Sequence, residues 1–391
     1  MDTEKTKKDR KKYLRNIVIM VFLVWLTFRV LFKDQNMDEL FNILITADGR
    51  FVLLGICCMM GYYICESINL RRTLRELGEN VRLIDCLKYT MIGFFYSSIT
   101  PAATGGQPMQ VYYMFKDGVK GANASLALVL NLFSFQVITI SMAAISVCFY
   151  HSYLDKGLWI LFAIGISLNS IALFLLIAGI FSKKLSTWIV KTSVKVIKKF
   201  KLKNEQYIID LLTDALERYN GSAKYIRNNK KLIVRQFITT FVQEVVYYSI
   251  PFCIYKAYRL SGESYIKILC LQSIVYATVS GIPSPGSVGV SEGAFVSIFK
   301  TVFSEELING AMLLNRGVSF YLFLIVCGMI VIVETFKSKK EKQKQIEAKN
   351  VEAIEEKEGA ENLETEEASK IKSKDKVKIL ENKTENIQKN N

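Results

Sequence analysis

Residues 86–115 read CLKYTMIGFFYSSITPAATGGQPMQVYYMF. The apolar arm 86–99 carries Lys88 and runs into Thr100-Pro101-Ala102-Ala103-Thr104-Gly105-Gly106-Gln107-Pro108, and a second short arm follows to Phe115. An α-helix rises ~1.5 Å per residue and the hydrocarbon core of a bilayer is ~30 Å thick, so a crossing takes about 20 apolar residues. Neither arm is that long, and a run rich in Pro and Gly separates them. Residues 266–282 repeat the arrangement: they end in Pro283-Ser284-Pro285-Gly286-Ser287-Val288-Gly289, and a short arm follows over 294–303. The two breakers share a local pattern, Thr100-Pro101-x-x-x-Gly105 and Ser284-Pro285-x-x-x-Gly289. Two readings are open. Each segment is a re-entrant helical hairpin, or Pro and Gly kink two ordinary spans.

Around these segments the apolar residues, 51% of the chain, fall in long runs parted by basic stretches rather than in short periodic stripes, which is a membrane pattern. Full spans are expected at 14–32, 51–69, 122–150, 157–181, 232–256 and 308–336. Lys and Arg stay on the cytoplasmic side in short loops. If both broken segments return to the face they left, then 1–16, 70–85, 116–121, 182–231 and 337–391 are cytoplasmic and hold most of the basic residues. The outer loops 33–50, 151–156, 257–265 and 304–307 are then short and comparatively acidic. Counting either hairpin as a full crossing strands Lys183, Lys184, Lys198, Lys199, Lys201 and Lys203 outside. The fold class is therefore an all-α integral membrane protein of about six full transmembrane helices plus two opposed re-entrant hairpins, multi-pass in a bacterial-type cell membrane with both termini cytoplasmic. Opposed broken helices in two halves of a chain point to a transporter site at mid-membrane.

The formal charge is +15, yet residues 337–391 hold 14 Lys against 13 acidic residues, so the excess lies in the loops of the membrane part. Basic loops beside apolar runs report orientation and anionic lipid, and no basic, aromatic-interleaved module points to direct nucleic-acid binding. The eight cysteines lie mostly in apolar runs without metal-ligand spacing, and His151 is the single histidine, which leaves no histidine triad and no multi-histidine metal site. Residues 1–13 read as a basic cytoplasmic N-terminus ahead of a retained first helix, since 14–32 lacks a small-residue cleavage site. Segment 182–231 is basic and amphipathic; it either lies on an anionic leaflet or is a solvated linker. The tail 337–391 is charged and of low complexity.

Polar groups at membrane depth are costly, so each is a functional candidate. They are Glu292 and Arg316 near the second hairpin, Glu244 in the fifth full span, Asn131 and Gln136 in the third, and Gln107 and Gln110 in the first hairpin. An Arg316 pair with Glu292 or Glu244 could be structural, or the arginine could take a lipid phosphate through bidentate donation. Pro101, Gly105, Gly106, Pro283, Pro285, Gly286 and Gly289 make the re-entrant turns, and helix N-termini after Gly106 and Gly289 favour an anion. No Walker loop, nucleophile elbow or dinucleotide fingerprint is found, and Tyr247 and Tyr248 read as packing aromatics.

Three blocks then resemble one family: the first breaker 100–108, the block Pro283-Ser284-Pro285-Gly286-Ser287-Val288-Gly289-Val290-Ser291-Glu292, and Asn315-Arg316-Gly317-Val318-Ser319-Phe320-Tyr321. The chain resembles, over 14–336, the membrane domain of lysylphosphatidylglycerol synthases, also described as flippase-like proteins. The resemblance implies a lipid-handling fold that moves anionic or aminoacylated phospholipid between leaflets, with membrane phospholipid as partner, a separate aminoacyl-lipid synthase as a possible second one, no cofactor, and cationic-peptide resistance as phenotype. It also implies a phosphatidylglycerol lysyltransferase as the enzyme alternative, although 337–391 stands where bifunctional members carry a soluble transferase domain. A small-solute transporter or membrane scaffold is the third reading. Many relatives carry an acidic residue and an arginine in the first block, where this chain has Gln107 and Gln110.

Overall fold

The computed structural model describes residue 29 and residues 45–100, 103–181, 224–225, 228–282, 285–287 and 289–337. The expected first span 14–32 except Arg29, the N-terminus 1–13, most of segment 182–231, the tail beyond Lys337, and Pro101 and Pro283 lie outside the described residues. Residues Met1–Ile330 form one compact unit and Val331–Asn391 a second; the site belongs to the first.

All described elements are helical, with no strand among the described residues. Helix α1, Gly49–Glu76, begins where the Asp48 carboxylate accepts from the Arg50 backbone N–H at 3.0 Å. The Arg50 guanidinium pairs with the same carboxylate at 3.1 Å, and these hydrogen bonds hold Asp48 below the usual carboxylate range. The helix outruns the expected span 51–69 at its C-terminal end. Hydropathy falls at Arg71, Arg72 and Arg75, but the helix stops only where Gly78 takes φ 82° and the N–H groups of Gly78 and Glu79 return to the carbonyls of Arg75 and Leu74 at 3.0 Å each, a Schellman stop.

The first broken segment is α2, Leu83–Ile99, and α3, Gly106–Lys116, packed on each other. Asp85 accepts from the Arg82 N–H and guanidinium at the start of α2, and its carboxyl is held below the usual range by that side-chain bond. Next come α4, Gly121–Tyr150, and α5, Lys156–Phe181, joined through the turn His151–Tyr153. Helix α6, Lys230–Tyr248, and α7, Ile250–Ala257, fill the expected span 232–256, which breaks at Ser249 because Pro251 lacks an N–H to continue the ladder. The second broken segment is α8, Tyr265–Val279, and α9, Val290–Phe299. Helix α10, Glu305–Arg316, passes through a π-turn, Gly317–Tyr321, into α11, residues 322–337.

Among the described residues five helical runs are long and apolar enough to cross a membrane: Gly49–Glu76, Gly121–Tyr153, Lys156–Ile177, Lys230–Ala257 and Glu305–Lys337. The hairpin arms are different. Helices α2, α3, α8 and α9 have 17, 11, 15 and 10 residues, so the longest is ~26 Å and all are shorter than the ~30 Å core. Such arms are tolerated in lipid only if protein surrounds their broken ends.

Protein packs on every arm: α1 on α2, α4 on α3, α4 and α5 on α8, and α10 on α9, while α1 also packs on α4, α6 and α7. The outward faces are apolar, with Ile160, Ile164, Ile171, Phe174 and Leu175 exposed on α5 and Val234, Ile238 and Phe241 on α6. Inside, polar side chains join the helices: Asn69 Nδ2 donates to Thr240 Oγ1 at 3.0 Å, Thr240 Oγ1 to Ser134 Oγ at 3.1 Å, and Ser273 to Ser146 at 2.7 Å. Bonds of this kind within membranes contribute about 0.6 kcal/mol each. The fold is an all-α membrane protein.

Candidate functional site

Each hairpin tip is built by a side chain or a glycine that replaces interrupted helix bonds. At the first tip the Thr100 hydroxyl donates to the Tyr96 carbonyl at 2.6 Å and accepts from the Gly105 N–H at 2.9 Å. Helix α3 restarts at Gly106, whose Cα lies so close to Ser97 and the Gly93 carbonyl that a Cβ has no room. At the second tip Gly286 has φ 59° and lies under the Phe320 ring, with Ser287 at φ 53° and Gly289 at φ 80° before α9 begins. Of the helix starts expected after Gly106 and Gly289, the second is as expected and the first comes one residue earlier, with Gly105 as N-cap and Gly106 the first helical residue.

Glu292 organises the second tip. Its Oε2 accepts from the Gly289 N–H at 2.6 Å and the Ser291 hydroxyl at 3.0 Å, and its Oε1 accepts from Arg316 Nε at 2.9 Å. Arg316 in turn donates from Nη2 to the Gly286 carbonyl at 2.9 Å and lies over the Phe320 ring at 4.3 Å. One guanidinium thus ties the end of α10 to the turn and to the first turn of α9.

Helix α2 touches the turn Pro285–Ser287, so the hairpins meet, and a cavity of about 350 Å³ opens where they do. Its wall takes Gly93, Ser97, Gly106, Gln107 and Gln110 from the first hairpin and Ser280, Gly286, Ser287 and Ser291 from the second. Arg316, Asn131, Glu66, Asn69, Gln243, Gln272 and Asn315 complete the polar side, while Tyr62, Tyr247, Tyr276, Phe94 and Phe320 supply aromatic faces. Asn131 Nδ2, Gln272 Oε1 and Asn315 Oδ1 are buried without a hydrogen-bond partner.

Of the sequence candidates, Gln107, Gln110, Asn131, Arg316, Gly106 and Gly286 share this wall. Glu292 stands behind Arg316, and Gly105 and Gly289 shape the turns. Pro285 opens the second turn. Glu244 is elsewhere: it is 1% exposed and accepts from Thr139 at 2.7 Å and Tyr248 at 2.9 Å, so it pairs with hydroxyls rather than with Arg316. Gln136 is also off the wall.

Sequence reasoning passed over Glu66, the carboxylate on the wall, whose neighbour within hydrogen-bonding reach is Gln110. The signal was present, because Glu66 is the only charged residue between 51 and 69 and an acid at that depth is a candidate by the same cost argument. No group of three or more His, Cys, Asp or Glu suited to a metal occurs among the described residues. The wall offers one guanidinium, one carboxylate and many neutral donors and acceptors, a set suited to holding a polar, charged group away from water.

Residues 14–327 match the family described as the lysylphosphatidylglycerol synthase TM region. Among curated proteins the chain is similar to a UPF0104 membrane protein of Archaeoglobus fulgidus, 19% identical over 314 residues that cover 79% of this chain and 94% of that one. The matched segment contains both hairpins, the cavity, Glu292 and Arg316, and the chain belongs to the lysylphosphatidylglycerol synthase transmembrane-region family.

Proposed function

We propose that this protein is a lipid translocase that moves an anionic or aminoacylated phospholipid, such as lysylphosphatidylglycerol, between leaflets. The observation that carries the reading is the cavity at the junction of the two hairpins, which holds Arg316 and Glu66 within a body whose outer faces are apolar. A volume of about 350 Å³ suits a head group rather than a whole lipid, because ligand pockets run from about 300 to 1,000 Å³. The acyl chains then stay in the bilayer while the head group passes.

In this reading Arg316 contacts the phosphate, since a guanidinium presents paired donors to phosphate oxygens. Glu66 faces the ammonium of an aminoacyl group, and Gln107, Gln110 and Asn131 give neutral hydrogen bonds. Glu292 orients Arg316 and keeps it from folding back onto the lipid surface. With the basic segments 70–85 and 116–121 on the cytoplasmic side, the first hairpin enters from the cytoplasm and the second from outside, so the site is reached alternately from each face.

The test is leaflet-resolved lipid analysis of a host that expresses this chain with and without a lysyl-lipid synthase domain. Outer-leaflet aminoacyl lipid that depends on both the synthase and the chain supports translocation. Aminoacyl lipid made without the synthase replaces the reading with a lysyltransferase, and normal translocation by folded Glu292→Gln and Arg316→Ala proteins removes the site assignment.

A further inference from the structure

A second cavity lies at the C-terminal end of α1, apart from the hairpin junction, lined by Ile68, Arg71, Arg72, Arg75, Glu76 and Tyr225. Three arginines fall within five consecutive residues of one helix. Arg71 and Arg75 are four apart and Arg72 and Arg75 three apart, so they share a face, and like charges at these spacings destabilise a helix. Such a cluster normally gathers carboxylates. Among the described residues it has not done so.

Arg71 has its Nε buried with no acceptor. Arg72 donates from Nη1 to Asn69 Oδ1 at 3.1 Å and Thr239 Oγ1 at 3.2 Å, both neutral, and Arg75 donates from Nε to the Val81 carbonyl at 3.2 Å. The one carboxylate on the wall, Glu76, accepts instead from Asn229 at 3.2 Å and Tyr225 at 3.4 Å. Arg235 stands within electrostatic range of Arg72 and adds a further cation. The wall thus carries three guanidinium groups against one carboxylate, and that carboxylate accepts from Asn229 and Tyr225.

Position then selects the ligand. With 28 residues, α1 is ~42 Å long against a hydrocarbon core of ~30 Å, so its last turns stand in the head-group layer. Basic pockets between helices at that depth bind anionic lipid head groups. We infer that the Arg71, Arg72 and Arg75 pocket is a second lipid site, separate from the hairpin cavity, that binds the phosphate of an anionic phospholipid. The inference does not depend on the translocase reading, because it concerns other residues and is read by binding alone.

The full-length protein in neutral detergent is titrated with short-chain phosphatidylglycerol, with phosphatidylcholine of equal chain length, and with inorganic phosphate, and bound ligand is counted by native mass spectrometry. The expected result is saturable phosphatidylglycerol binding that Arg71→Gln/Arg75→Gln weakens about tenfold or more, in line with one charge-assisted hydrogen bond, while Arg316→Gln leaves this site occupied. Inorganic phosphate that competes fully and binds as tightly as the lipid assigns the pocket to a soluble anion and overturns the lipid assignment. Equal phosphatidylglycerol affinity in the wild type and the double variant overturns the site altogether. If the double variant does not fold, Arg75→Gln alone, at an exposed position, carries the same test, and an unchanged affinity there counts against the proposal.

Discussion

Arg316 Nε donates to Glu292 Oε1 at 2.9 Å, with the two side chains only 11% and 16% exposed, so a guanidinium at the end of α10 is held by the carboxylate that also closes the start of α9. Removing one member of such a pair leaves the other charge buried and costs about 3 kcal/mol, whereas replacing both with neutral groups of similar size costs far less. Arg316→Met and Glu292→Leu are each expected to lower the thermal midpoint in detergent, and the double substitution to restore most of it. Lipid movement is expected to be lost in all three.

Glu66 lies on the wall of the hairpin cavity with Gln110 beside it. Glu66→Gln keeps the shape and removes the charge. In vesicles that carry either lysylphosphatidylglycerol or phosphatidylglycerol, it is expected to slow movement of the lysyl lipid by about tenfold or more, the worth of one charge-assisted hydrogen bond, and to leave phosphatidylglycerol less affected. Equal slowing of both lipids would assign Glu66 a structural part.

The glycines fall into two groups that substitution separates. Gly286 has φ 59° and a Cβ there would stand 2.5 Å from Phe320 Cζ, so Gly286→Ala is expected to destabilise by about 1–3 kcal/mol. Gly293 sits within α9 with nothing within 4 Å of a Cβ, and Gly293→Ala is expected to be neutral or to stabilise by about 0.5–1 kcal/mol. Thermal unfolding of the two proteins in one detergent checks both.

Gly165 on α5 meets the backbone of Ala277 and Thr278, and Gly281 lies 2.9 Å, measured from its Cβ position, from the Leu168 side chain. Asn169 adds a bond to Ser280 at 2.9 Å across the same contact. Gly165→Val is therefore expected to push α5 from α8 at a cost of about 1–3 kcal/mol, seen as lost monodisperse protein or a lowered midpoint.

The orientation expected from the positive-inside distribution of Lys and Arg predicts accessibility. In a chain with its native cysteines replaced, His151→Cys is expected to react with an impermeant maleimide in intact cells, and Asn80→Cys only after permeabilisation. The reverse pattern would invert the protein in the membrane.

Much of this architecture was legible in residue order because lipid imposes length on apolar runs. The runs at 122–150 and 157–181 match α4 and α5 within a residue or so, and the first breaker begins where α2 stops, whereas α8 stops at Val279, short of Pro283, and α9 runs over Val290–Phe299 rather than 294–303. Hydropathy could not follow α1 to Glu76, since arginines end a hydrophobic run without ending a helix and the stop is set by Gly78. It also could not follow the kink at Ser249, which Pro251 marks by local backbone chemistry. In the cavity, Arg316, Gln107, Gln110 and Asn131 were found by the cost of polarity at depth. Glu244 met the same criterion and is held by Thr139 and Tyr248 away from the wall, because depth reports a cost and not the direction a side chain faces. Glu66 also met that criterion and was passed over, while Asn315 needed the packing of α10 before it could be placed on the wall.

The short arms of the first hairpin also set an order of assembly. Neither α2 nor α3 is long enough to be retained in a bilayer alone, and the turn Pro285–Ser287 that touches α2 is synthesised much later in the chain. When α2 and α3 leave the ribosome their tip lacks that contact, and an open tip in lipid depends on local bonds to satisfy its backbone groups. The first hairpin can therefore lean on α1 and on its own Thr100 bonds as soon as it is made, while its contact with the turn Pro285–Ser287 closes only when the second half of the chain arrives.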